Sequence, residues 1–138
     1  VGVDGVTVDD LQVSLAHTEW AAAAVVAGPD DPAPGIDIEA EAPRHERFAS
    51  LTLAPEEAAL VPGEPGPGRD LALTRLWTVK EAAGKAAGVG LEGRPKVLVV
   101  DRLDGDTAHV GARTVATEVV AVGEGDTARR YVVSWTTT

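Results

Sequence analysis

Asp37 and Glu39 stand two residues apart in the string Gly35-Ile36-Asp37-Ile38-Glu39, which reads as a strand. Successive side chains of a strand point to opposite faces. Ile36 and Ile38 therefore go to a core, and the two carboxylates project together from the other face, roughly 6.5–7 Å apart along the strand. Like charges at that spacing repel, the more so when partly desolvated, and a divalent cation between them removes the penalty. Oxygen-only donors suit Mg²⁺, which keeps waters and substrate phosphates in its remaining positions. The same alternation also fits an exposed strand with two solvated acids. Further along, Trp77, Glu81 and Lys85 fall at i, i+4 and i+8, a single stripe of a helix, with Lys80 at its border. The stripe offers a third carboxylate and a cation. Read alone, it equally describes a surface Glu81–Lys85 ion pair worth about 0.3 kcal/mol.

The elements that must position these groups follow from periodicity and breakers. Residues 11–16 and 20–27 read as two short strands joined at His17, Thr18 and Glu19, a hairpin. Three prolines and two bounding glycines make 28–35 a loop, and a strand over 35–40 follows. Residues 44–51 and 55–61 read as helices; Pro55 at a helix start with Glu56 and Glu57 in the first turn suits the helix dipole. After a second breaker-rich loop at 62–68, the most legible helix runs from Arg69 to about Ala87. Ala72, Leu76, Val79, Ala83 and Ala86 form its buried stripe, and Gly88 and Gly90 stop it. Strands are expected over 96–103, 108–115, 117–122 and 129–136, the last two joined by a turn at 123–126. Strands, then helices, then strands indicate an α+β domain with helices packed on an antiparallel sheet.

The 138 residues suit one compact domain. No segment approaches the roughly 18 apolar residues of a membrane span, the N-terminus has no charged region or cleavage site typical of export, and the chain contains no cysteine; a cytoplasmic protein is the plain expectation. A net charge of −10 argues against general affinity for nucleic acid or an anionic membrane. Residues 69–102 nonetheless carry seven Lys/Arg against four Asp/Glu. That local excess of cations surrounds the acidic stripe, as an anion-binding site requires. The absence of methionine suggests a piece of a longer chain.

Taken together, Gly35-Ile36-Asp37-Ile38-Glu39 and Trp77-Thr78-Val79-Lys80-Glu81-Ala82-Ala83-Gly84-Lys85, followed by Ala86-Ala87-Gly88-Val89-Gly90-Leu91, resemble the 4'-phosphopantetheinyl transferase superfamily, in the type that activates peptide and polyketide synthases. Leu53-Ala54-Pro55-Glu56-Glu57 looks like the family's short segment ending in an acid, and Leu15-Ala16-His17-Thr18 like its Ser-His motif. The resemblance covers about residues 11–100 and implies the family fold, an antiparallel sheet packed against a long helix. Residues 1–34 would be a remnant of an N-terminal lobe and 35–138 the catalytic lobe. It implies Mg²⁺ held by Asp37, Glu39 and Glu81, and coenzyme A as co-substrate. The implied acceptor is the serine of an acyl carrier protein, whose hydroxyl attacks the β-phosphate as 3',5'-adenosine bisphosphate leaves. Lys85 would meet charge on the leaving group, Lys80 would be a second phosphate contact, and His17 would touch the nucleotide end. Glu81 or a metal-bound water would accept the serine proton.

Two departures bear on that expectation. The family serine before the histidine is Ala16, and residues 1–43 contain no Lys or Arg, so Arg44, Arg47 and Arg69 are left to supply the missing coenzyme A contacts. The length falls between the family's small trimeric and larger pseudodimeric types. Because carrier proteins are acidic and this chain is too, steering between free partners would be poor, whereas covalent linkage would supply effective concentration. The expectation is a transferase domain integrated in a polyketide synthase, active in antibiotic-type biosynthesis. Its rivals are a family member without activity that acts as a docking module, and an unrelated Mg²⁺-dependent phosphate-cleaving enzyme.

Overall fold

The computed structural model describes residues 2–3, 6–7 and 10–137. Among the described residues nine strands and two α-helices follow in the order expected for an α+β chain. Short strands β1 (Gly2–Val3) and β2 (Val6–Thr7) pair with one another. β3 (Gln12–His17) and β4 (Ala22–Ala27) form the expected antiparallel ribbon, with Thr18 bonding Ala21 at its tip. β5 is Ile36–Ala40, α1 Glu46–Thr52 and α2 Pro67–Ala86. The remaining strands are β6 (Arg102–Asp104), β7 (Thr107–Val110), β8 (Arg113–Val122) and β9 (Arg129–Thr136). These four and β5 make one antiparallel sheet in the order β5-β9-β8-β7-β6.

Alternation in β5 gives each of its faces a separate role. Ile36 and Ile38, both buried, pack with Ala16 and Tyr131 beneath the β3–β4 ribbon. Asp37 and Glu39 look the other way, toward α2, which lies across β5, β9 and β8. The ribbon packs through Ala16, Ala23 and Val25, while Val13, Leu15 and Val26 on its outer face stay exposed. Opposite, Leu73, Leu76, Val79, Ala82 and Ala83 of α2 join Val100, Ala108 and Val115 of the sheet side in the main core.

α2 is buried on more sides than its apolar stripe implies. Thr74 and Thr78 are fully covered; the Thr74 hydroxyl donates to Asp70 O (2.8 Å), and the Thr78 hydroxyl shares a 2.7 Å bond with Ser134 of β9. The start of β5 touches the helix backbone itself. A Cβ on Gly35 would lie 2.8 Å from Ala86 N, so only glycine permits this approach.

Four expected elements differ. Residues 55–60 form a 3₁₀ helix, because the segment closes around the inward Glu57 carboxylate. The strand expected over 96–103 begins only at Arg102. Pro95–Val97 is a 3₁₀ turn, and Val100 N donates to Glu57 Oε1 (2.7 Å) instead of a neighbouring strand. The strand expected over 108–115 is split, and its second part runs on through the strand expected over 117–122 as the single β8. Gly111, at φ 57°, adopts the left-handed conformation that favours glycine and turns β7 back into β8. No helix among the described residues is long and apolar enough to cross a membrane.

Candidate functional site

Strand alternation and helix phase meet at the β5–α2 contact. Asp37 is 8 % exposed. Its Oδ1 accepts from Lys85 Nζ at 2.9 Å, and the same ammonium donates to Ile36 O at 2.8 Å. The other oxygen, Asp37 Oδ2, is buried and has no hydrogen-bond partner among the described residues. A carboxylate oxygen left in that state lacks the compensation that burial normally demands. Burial is the main cause that raises the Asp37 pKa above its ordinary 3.8; Lys85 and, more weakly, the Ile38 N–H oppose the shift and Glu39 adds to it.

Glu81 faces the same acids from α2. Its pKa is raised from 4.5, first by burial and then by the negative charges of Asp37 and Glu39, with Lys85 opposing. The three carboxylates therefore share one electrostatic neighbourhood, with Lys85 as its cation. Among the described residues, no three Asp, Glu or His side chains already close on a single point at ligand spacing. The acids are instead held by cations of the chain, Lys85 on Asp37 and Arg44 beside Glu39 (3.9 Å). An unpartnered, desolvated carboxylate oxygen beside two further crowded acids fits a hard divalent cation, and Asp37, Glu39 and Glu81 are the residues that would hold it.

Arg44 is fixed at both ends. Its backbone N donates to Asp70 Oδ1 (2.8 Å), its Nε to the Thr74 hydroxyl (2.9 Å) and its Nη2 to Ala40 O (3.2 Å). The guanidinium covers the Phe48 ring at 5.0 Å, and Phe48 meets Trp77 at 5.5 Å. Arg44 thus borders Glu39 with two of its five guanidinium N–H groups engaged in these bonds. Beyond Glu39, at the end of β5, a groove of about 610 Å³ opens between Glu41, Pro43, Asp70, Arg129 and Arg130.

Two expected contacts are not brought to this cluster. His17 is exposed on the outer face of the ribbon, opposite Ala22, while its neighbour Ala16 takes the inward position. Lys80 does not fit the phosphate-contact role expected for it. It is 0 % exposed, and its Nζ is 2.6 Å from Glu57 Oε2. One residue along a helix turns the side chain by about 100°, which carries Lys80 away from the acids that Glu81 faces. Asp70 and Thr74 support the site without a signal in local spacing. Glu57 has two signals: it ends the acidic segment Leu53–Glu57, and it lies three residues after Ala54, whose N–H donates to its carboxylate (2.8 Å) in the manner of a capping residue.

No curated protein matches the chain. The family model described as the 4'-phosphopantetheinyl transferase superfamily matches residues 33–135, a span that holds β5, α2 and all of the five-stranded sheet but Thr136. With the acids of β5 meeting Glu81 and Lys85 of α2 inside that span, the chain belongs to the 4'-phosphopantetheinyl transferase superfamily and is a transferase of this kind.

Proposed function

We propose that the protein transfers 4'-phosphopantetheine from coenzyme A to a serine of an acyl carrier protein, with Mg²⁺ held by Asp37, Glu39 and Glu81. The observation that carries this reading is the buried, partnerless Asp37 Oδ2 beside Glu81 and Lys85, a site short of positive charge within a domain of this superfamily. When bound, Mg²⁺ would neutralise the pyrophosphate and hold it in line for displacement.

The chain's own residues account for the rest. The serine oxygen forms a bond to the β-phosphorus, the bridging bond to the α-phosphate oxygen breaks, and 3',5'-adenosine bisphosphate leaves with the electron pair. Glu81, or a water held beside it, accepts the serine proton. Lys85 turns from Asp37 to the negative charge growing on the leaving bisphosphate. Arg44 keeps Glu39 in place from the side, and the groove beyond Glu39 has room for the pantetheine arm. His17 remains our proposal for a nucleotide contact, from the ribbon tip.

An acidic domain acting on acidic carriers favours a carrier linked in the same polypeptide, as in a polyketide synthase. A docking module without activity is the second reading, favoured by the engagement of Arg44 and Lys80 within the protein. Mass spectrometry of an apo carrier incubated with coenzyme A and Mg²⁺ separates the two. Wild type should add one phosphopantetheine, and Glu81→Ala should add almost none. Equal modification by both proteins refutes the site, and no modification by wild type supports the docking module.

A further inference from the structure

Lys80 and Glu57 form a closed ionic unit in the interior. The Lys80 ammonium donates to Glu57 Oε2 (2.6 Å), Thr52 O (2.7 Å) and Pro95 O (3.1 Å), which uses all three of its protons. The Glu57 carboxylate also accepts from Ala54 N (2.8 Å) and Val100 N (2.7 Å). Both side chains are 0 % exposed. One residue of α2 is thereby tied to the end of α1, to the 3₁₀ helix at 55–60, to the turn at 95–97 and to the strand-like segment entering β6. A buried ion pair of this sort is weak evidence for stability, because desolvation offsets its attraction and apolar replacements are often neutral. What it fixes is geometry.

The half of α2 that carries the acidic site needs such fixing. Around Glu81 and Lys85 the helix presents Ala82, Ala83, Gly84 and Ala86, all buried and all small; the turn from Ala82 to Ala86 lies on the bare backbone of Gly35, and Gly84 on that of Gly90. A surface this smooth lets backbones approach, and it has few knobs to resist rotation about the helix axis. A roll of about 20° would move a carboxylate about 6 Å from the axis by roughly 2 Å, and misplacements of about 1 Å already cost on the order of 100-fold in rate.

We propose that the buried Glu57–Lys80 pair is a positioning device that fixes the rotation of α2, so that Glu81 is presented to Asp37 and Glu39 as a metal ligand. Lys80 acts through the backbone to the residue beside it, and touches no substrate. The inference rests on the metal-site reading above.

Binding of Mn²⁺ alone, followed by electron paramagnetic resonance, tests it without turnover. The Glu57→Gln/Lys80→Met double variant removes both charges together, and circular dichroism with a thermal melt verifies its fold. Its dissociation constant for Mn²⁺ should rise about tenfold, the lower end of what loss of outer support does to a metal site. Lys80→Arg, which keeps the charge but changes the donor geometry, should weaken Mn²⁺ less and supplies the measurement if the double variant does not fold. A folded double variant with wild-type Mn²⁺ affinity overturns the proposal, and so does a lowered melting temperature with unchanged Mn²⁺ affinity. Wild-type Mn²⁺ affinity in Lys80→Arg, where that variant alone folds, overturns it too. Should the wild type bind no Mn²⁺, the metal-site reading falls first and this inference with it. Intact binding by wild type and variants alike defeats the clamp alone.

Discussion

Removing the Lys85 ammonium sets two effects against each other. Lys85 neutralises Asp37, so it competes with any cation for that carboxylate, yet it is also the charge proposed to meet the coenzyme A phosphates. Lys85→Met should therefore bind Mn²⁺ at least as tightly as wild type while binding coenzyme A more weakly, by about 1.4 kcal/mol or more, which is tenfold. Calorimetry of each ligand separately checks this, and a parallel loss of both would contradict it. Glu81 offers a second test through pH. Its folded pKa lies above the ordinary 4.5, so its favourable contribution to folding is complete below 4.5 and lost as pH rises through the folded value. In metal-free protein, Glu81→Gln should melt close to wild type at the acid end of this window and above it at neutral pH. Mg²⁺ should then raise the wild type more than the variant. A melting-temperature difference independent of pH would remove the basis for crowded carboxylates.

At the scale of elements, β5 and α2 carry the site, and their contact is closest at Gly35. Gly35→Ala should force the helix off the strand, destabilising the protein by about 1–3 kcal/mol, the usual range for overpacking. Transferase activity should fall further than stability alone explains; urea denaturation and carrier modification measure the two. These elements were the ones legible in the sequence, since a period of two and a period near 3.6 are local signals. The pairing of Asp37 and Glu39 on one face, and of Glu81 with Lys85 on one helix stripe, followed from them. The direction of Lys80 did not. Its partner lies 23 residues away, and local spacing cannot say which side of a helix another segment will cover. The strand expected near Val100 failed for the same reason, because a distant carboxylate takes its N–H. At residues 108–115 the signal was present in Gly111, but an apolar-polar alternation from Ala108 to Arg113 ran across it and concealed the turn.

For the molecule as a whole, the net charge of −10 makes an acidic partner slow to approach. With saturating coenzyme A and Mg²⁺, modification of an untethered acidic carrier should speed up several-fold as ionic strength rises from about 10 mM to 150 mM, where the Debye length shrinks from about 30 Å to 8 Å. The same carrier fused to the domain should respond little, and a rate that falls with salt for the free carrier would argue against repulsion. The sheet also has a long reach in sequence. Among the described strands β5 lies at its edge and pairs with β9 alone, and Gly35 N bonds the Thr136 hydroxyl across 101 residues. Contacts of such separation form late, since the loop between them must close first. During synthesis the acids of β5 leave the ribosome long before the strand that holds them. The newborn domain therefore cannot assemble its candidate site until nearly all of it has emerged.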